Sequence, residues 1–127
     1  MAPVSRIGLI VFAHGSRVVA ANEGVRRTAA AAAERCGIDL WAAAFLELAE
    51  PTLESAVDRL MGRGAAKIIV TPYFLTMGIH LQRDLPELLR AIAVKRPGLD
   101  IVQSAPLDGH PALVDILTDR ARGLMKS

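Results

Sequence analysis

Two histidines carry the chemistry this chain can be read for. His14 follows the apolar run Ile7-Gly8-Leu9-Ile10-Val11-Phe12, in Phe12-Ala13-His14-Gly15-Ser16-Arg17. His80 follows Lys67-Ile68-Ile69-Val70-Thr71-Pro72-Tyr73-Phe74, in Leu75-Thr76-Met77-Gly78-Ile79-His80. Imidazole binds transition metals and exchanges protons near pH 7. Each run reads as a strand, and in an open parallel sheet ligands bind outside the carboxyl ends of strands. Two imidazoles at two such ends define one candidate site for a divalent metal and for proton transfer.

Other residues compete for that site. At His14 the alternatives are a helix-capping histidine, or a turn that cradles a phosphate at a helix N-terminus, although the Gly-rich fingerprint of phosphate loops is missing. At His80 the alternative is a solvated loop histidine. Asp84, four residues on, either holds the second ring nitrogen of His80 or caps a helix. Glu47 and Glu50 follow another strand in Phe45-Leu46-Glu47-Leu48-Ala49-Glu50-Pro51. Glu47 has the better claim to the site, and Glu50 reads as a helix-start carboxylate. His110, in Leu107-Asp108-Gly109-His110-Pro111, has a weaker claim to direct chemistry. Cys36 falls on an apolar helix stripe and reads as a small core residue.

The elements that must position these groups alternate along the chain. Strand-like segments cover residues 5–13, 39–46, 66–73 and 99–104, and helix-like segments cover 18–36, 51–63, a stretch ending near Arg96, and 110–125. In the third helix Leu88, Leu89, Ile92 and Ala93 form the apolar side, with Asp84 as its N-cap or, alternatively, His80 already inside a helix kinked at Pro86. The last helix carries the stripe Leu113, Ile116, Leu117, Ala121 and Leu124. A β-α-β-α-β-α-β-α order predicts an α/β fold of flavodoxin-like type, with a four-stranded parallel sheet and helices on both faces. The expected strand order is 2-1-3-4, whose reversal falls between the strands that end at His14 and His80. The 127 residues then form one domain.

Composition narrows the function classes. The chain is 52% hydrophobic but only 4% aromatic, so its core is built of Ala, Val, Leu and Ile. A net charge of +2, without a basic run, does not point to nucleic acid. The apolar runs fall well short of the ~20 residues of a membrane span, and Ile7–Ala13 is too short for a secretory leader. One cysteine excludes an internal disulfide and a four-thiolate cluster, which predicts a cytoplasmic protein.

Taken together, the motifs resemble the small class II tetrapyrrole chelatases, the CbiX-type sirohydrochlorin cobaltochelatases and their ferrochelatase relatives. The resemblance rests on His14-Gly15-Ser16-Arg17, Phe45-Leu46-Glu47-Leu48-Ala49-Glu50-Pro51, Pro72-Tyr73-Phe74-Leu75, Gly78-Ile79-His80 with Asp84-Leu85-Pro86, and Pro106-Leu107-Asp108-Gly109-His110-Pro111. It implies ATP-independent insertion of Co²⁺, Fe²⁺ or Ni²⁺ into sirohydrochlorin, in cobalamin or siroheme biosynthesis. It also implies His14 and His80 as metal ligands and catalytic groups, no organic cofactor, and a homodimer in place of the two halves of longer members. Glu47 is the further catalytic candidate, and Ser16, Arg17 and Arg83 are candidates for binding substrate carboxylates. Ile79 stands where many relatives carry a basic residue, and no cysteine cluster follows Leu124, so no iron–sulfur cluster is expected. Two other readings share these residues: a carrier that binds tetrapyrrole or metal without turnover, and a module that binds a phosphorylated ligand.

Overall fold

The computed structural model describes residues 6–125. Ser5, the expected first residue of the first strand, lies outside them. The elements run β1 (Ile7–Ala13), α1 (Val19–Cys36), β2 (Leu40–Phe45), α2 (Leu53–Gly62), β3 (Lys67–Pro72), α3 (Ile79–Val94), β4 (Asp100–Gln103) and α4 (Ala112–Arg122). The strands form one parallel sheet in the order β2-β1-β3-β4, as the alternation predicts. β1 lies between β2 and β3, with Phe12 opposite both Ala44 and Pro72. All four strands therefore end at one edge.

Side chains alternate across the sheet and divide it into two faces. On one face Ile10, Phe12, Ile68 and Val70 pack with Leu60 of α2 and Leu89 of α3 in the larger core cluster. On the other, Val11, Ala13, Ala43 and Phe45 pack with Ala29 of α1. Burial on α1 falls at Asn22, Ala29 and Ala33. Cys36 is exposed rather than a core residue. It lies in the last turn, about 60° round the helix from Ala33.

Helix starts depart from the sequence expectation in α2 and α3. α2 begins after Thr52, whose hydroxyl accepts the Ser55 N–H at 3.2 Å, and Glu54 supplies the first-turn carboxylate. Pro51 and Glu50 therefore precede the cap, and Glu50 is not the helix-start residue. α3 begins at Ile79 after Gly78, so Asp84 is not its N-cap and Pro86 lies inside the helix. Burial of Leu85, Leu89 and Ile92 on one side offsets the ~3 kcal/mol that an interior proline typically costs. Leu88, expected to face the core, is 38% exposed. The stripe on α4 forms as a helix, yet none of its residues is buried.

Arg96 ties the end of α3 to α2. Its Nε and Nη2 donate to the two Asp58 carboxylate oxygens at 2.7 and 2.9 Å, and its Nη1 donates to Glu54 at 3.1 Å. The Arg96 hydrogen bonds hold the Asp58 carboxyl below its ordinary pKa of 3.8. A carboxyl whose pKa is lowered by folding stabilises the folded state above its unfolded pKa, and that contribution disappears as pH falls through the folded value. Asp58→Asn should therefore lower the melting temperature at pH 7, with the difference between the two proteins shrinking as pH falls below the ordinary carboxylate range, as read by thermal unfolding across pH.

Candidate active site at the carboxyl edge of the sheet

The chain leaves β1 at Ala13 and turns at once. The Leu46 N–H donates to the Ala13 carbonyl at 2.9 Å and the Glu47 N–H to the His14 carbonyl at 3.0 Å, so the loop after β2 stays zipped to the loop after β1. Gly15 makes this possible. It has φ 95°, and a Cβ there would stand 1.8 Å from the Glu47 carbonyl oxygen. Only glycine permits both that conformation and that approach.

This zipper sets His14 against Glu47. His14 Nε2 lies 2.9 Å from Glu47 Oε1, and both side chains are more than half exposed. An ionised carboxylate only accepts, so Nε2 is the donor and the neutral ring keeps its Nδ1 lone pair free. A carboxylate on one ring nitrogen also fixes the tautomer and orientation of the ring, an arrangement common behind metal-bound histidines.

Several contacts that composition and spacing did not reveal hold the two loops. Buried Asn22 accepts the Ser16 N–H at 3.0 Å and donates to the Ser16 carbonyl at 2.8 Å. The Ser16 hydroxyl accepts the Val18 N–H at 3.0 Å, which closes the turn into α1. Arg26 donates to the Glu50 carbonyl at 2.9 Å, pairs with Glu23, and lies over the Phe45 ring at 5.2 Å. The Phe45 N–H donates to the Pro51 carbonyl, Glu50–Pro51 is cis, and Leu48 adopts φ 66°. The signals in sequence were a polar residue in an apolar helix seam and an arginine one turn after it.

His80 stands in the first turn of α3, beyond the end of β3 and next to the strand that bears His14. Asp84 does not hold its ring. Arg83 Nη2 donates to His80 Nδ1 at 3.3 Å, and Arg83 Nε donates to Asp84 at 3.1 Å. The longer arginine, three residues on, reaches back first and also engages the carboxylate. Gln82 fastens the preceding loop through the Met77 carbonyl at 2.8 Å. Arg17 is exposed beside His14. His110 accepts the Ala112 N–H at 3.0 Å on Nδ1, so it serves the start of α4.

A depression of about 280 Å³ beside these loops is lined by Phe12, Phe45, Leu46 and Leu88, among others. Among the described residues no group of three or more His, Cys, Asp or Glu is placed to hold a metal ion. One chain thus presents an open edge bearing two histidines and one carboxylate.

Comparison with known proteins decides the lineage of this edge. The CbiX family model matches residues 8–124. The chain belongs to the CbiX family. A sirohydrochlorin cobaltochelatase of Methanococcoides burtonii is 32% identical over 128 residues, covering 94% of this chain and 98% of the relative. The chloroplastic sirohydrochlorin ferrochelatase of Arabidopsis thaliana is 33% identical over 113 residues, covering 89% of this chain and 50% of the relative. The chain therefore spans nearly the whole of one relative and half of the other. The sirohydrochlorin chelatase SirB of Bacillus subtilis, solved in complex with cobalt, superposes with TM-score 0.79 at 28% identity over 94% of this chain and 51% of that one. In this CbiX-family chain, the fold read from the alternation is the fold of its relatives.

Two outcomes test the local construction. Gly15→Ala should destabilise the fold or tear the two loops apart, seen as a large fall in melting temperature. Asn22→Ala, which strands two hydrogen bonds of Ser16, should cost about 1–3 kcal/mol in chemical denaturation while leaving the helix content unchanged.

Proposed function

We propose that this chain inserts Co²⁺ or Fe²⁺ into sirohydrochlorin without ATP, in cobalamin or siroheme biosynthesis. The observation that carries the reading is the His14–Glu47 pair at the edge where His80 also stands. Family membership and the activities for which its relatives are named support it.

Metallation releases two pyrrole N–H protons as a divalent ion enters the ring, so charge balances without another reactant. An imidazole with ordinary pKa ~6.5 accepts such a proton at neutral pH. His14, with Nδ1 open and Glu47 behind Nε2, is the proton acceptor and metal ligand best prepared for this. His80 is the second ligand and acceptor, and its Nδ1 becomes available when Arg83 turns away. Sirohydrochlorin carries eight carboxylates, and Arg83 and Arg17 suit them as bidentate donors. Ser16 keeps its O–H free to donate to the same groups. A sparse ligand set favours transfer, because it leaves coordination positions open to the incoming nitrogens.

We also propose that two copies build the full cleft, since one chain spans half of the longer relative and His14, Glu47 and His80 stand exposed on an open edge. The lone cysteine suits a reducing compartment, and we assign the reaction to the cytoplasm. The metal is substrate, and the mechanism requires no organic cofactor.

A multiple-turnover absorbance assay tests the proposal, with anaerobic sirohydrochlorin in excess over protein and Co²⁺, Fe²⁺ or Ni²⁺ added. Turnover well above the protein-free rate is expected. A spectral change that stops at one equivalent would instead identify a carrier. His14→Ala and His80→Ala should each lower kcat by ~10²–10⁴, and Glu47→Gln by ~10–100. Full activity in His80→Ala would overturn the paired-histidine mechanism.

A further inference from the structure

α4 is a helix without a floor. None of its 11 residues is buried, and neither core cluster contains one. Val114 is 65% and Leu117 70% exposed, and Leu124 just beyond the helix is 90% exposed. These three, with Ala121, fall on one side of the helix, while Asp115, Asp119 and Arg122 fall on the other. An isolated helix of this length is marginal in water, so its apolar side requires a surface to pack on.

Among the described residues the sheet has a surface without a helix. α2 and α3 cover one face, and α1 covers the other face only over β1 and β2. On that second face β3 presents Ile69 and Thr71, both partly exposed, and β4 presents Val102, 40% exposed and opposite Ile69 in register. Parallel sheets are ordinarily covered on both faces. Here the half over β3 and β4 is bare while the one spare helix of the same chain points its apolar side into solvent.

We propose that α4 is exchanged between two copies of this chain, the apolar side of each α4 covering the bare β3–β4 face of the other copy. This rests on the two-copy reading above and adds how the copies are held. The contact is self-complementary, as a two-fold dimer requires, because each copy offers one helix and one face. On the bare face Lys67 and Asp100 stand opposite each other in register at its start, so Val102 and Ile69 beyond them form an apolar strip that matches the apolar side of the helix. Area agrees with the exchange. The exposed apolar side chains of α4 and the face it would cover offer on the order of several hundred Å² per copy, counted twice, against ~800 Å² per partner in a stable interface.

The starting point of α4 links this exchange to the site. The segment before it is tied to the loop after β3 by the Leu107 N–H on the Phe74 carbonyl and the Asp108 N–H on the Leu75 carbonyl. The helix thus leaves from the edge that bears His14 and His80. A helix crossing from that edge to the second copy brings the two site edges together, and each supplies the wall the other lacks.

Sedimentation of the full chain tests this. The wild type should sediment at twice its 13.6 kDa chain mass. Leu117→Asp and Val102→Asp, both at exposed positions, should each raise the dimer dissociation constant at least a hundredfold while circular dichroism stays that of a folded chain. Leu117→Ala should weaken the dimer in the same direction without adding a charge. An equimolar mixture of Leu117→Asp with Val102→Asp should recover dimer in part, because the mixed pair keeps one intact helix–face contact. A monomeric wild type would overturn both the exchange and the two-copy reading. Dimeric Leu117→Asp, or a mixture that stays monomeric, would overturn the exchange alone. The metal-insertion assay reports separately on the chemistry.

Discussion

Parallel pairing of β1 with β2 on one side and β3 on the other is the constraint from which the rest follows. Because the three strands run the same way, their exits share one edge, and the loops carrying His14, Glu47 and His80 must emerge together. Burial on both faces fixes this arrangement. A one-residue slip of β1 would exchange Ile10 and Phe12 for Val11 and Ala13 and mismatch both cores at once. The site is therefore positioned by the best-packed part of the molecule, although its own side chains are exposed.

Within that frame, backbone approach does more than side-chain packing. The two loops after β1 and β2 touch through main-chain hydrogen bonds, and the absence of a side chain at Gly15 lets them close. Asn22 and Arg26 then clamp one loop each from α1. These contacts leave His14 and Glu47 in solvent but in register, so the imidazole is oriented without being buried. His80 is held differently, by an arginine of its own helix. The two imidazoles thus differ in whether Nδ1 is engaged. His14 is ready at Nδ1 in the resting protein, whereas the Nδ1 of His80 is released only when Arg83 finds another partner.

The incompleteness of the single chain is physical. Among the described residues its sheet has one bare half-face, its last helix has no buried residue, and its two histidines stand on an open edge. A reciprocal exchange would satisfy all of these together, which is why one arrangement accounts for features that otherwise look unrelated.

Sequence determined the alternation of strands and helices, the strand order, and the placing of His14 and His80 at adjacent strand ends. These depend on apolar periodicity and on the right-handed crossover, both of which are local or nearly local properties. It also favoured Glu47 over Glu50, but by giving Glu50 a helix-start role that the fold gives to Glu54 instead. Tertiary structure decided what depends on neighbours distant in the chain. The Glu47 carbonyl over Gly15, the Asn22 clasp on Ser16 and the Arg26 bond to the loop after β2 join residues that no period connects. Of the two starts the sequence left open for α3, the structure takes the one with His80 inside the helix, beginning at Ile79 after Gly78, because packing of Leu85 and Leu89 outweighs the local preference of Asp84 and Pro86 for a helix start. Cys36 and the stripe of α4 show the same limit from the other side. An apolar period says that a helix has a face to bury, but only the surrounding fold decides whether anything in the same chain is there to bury it.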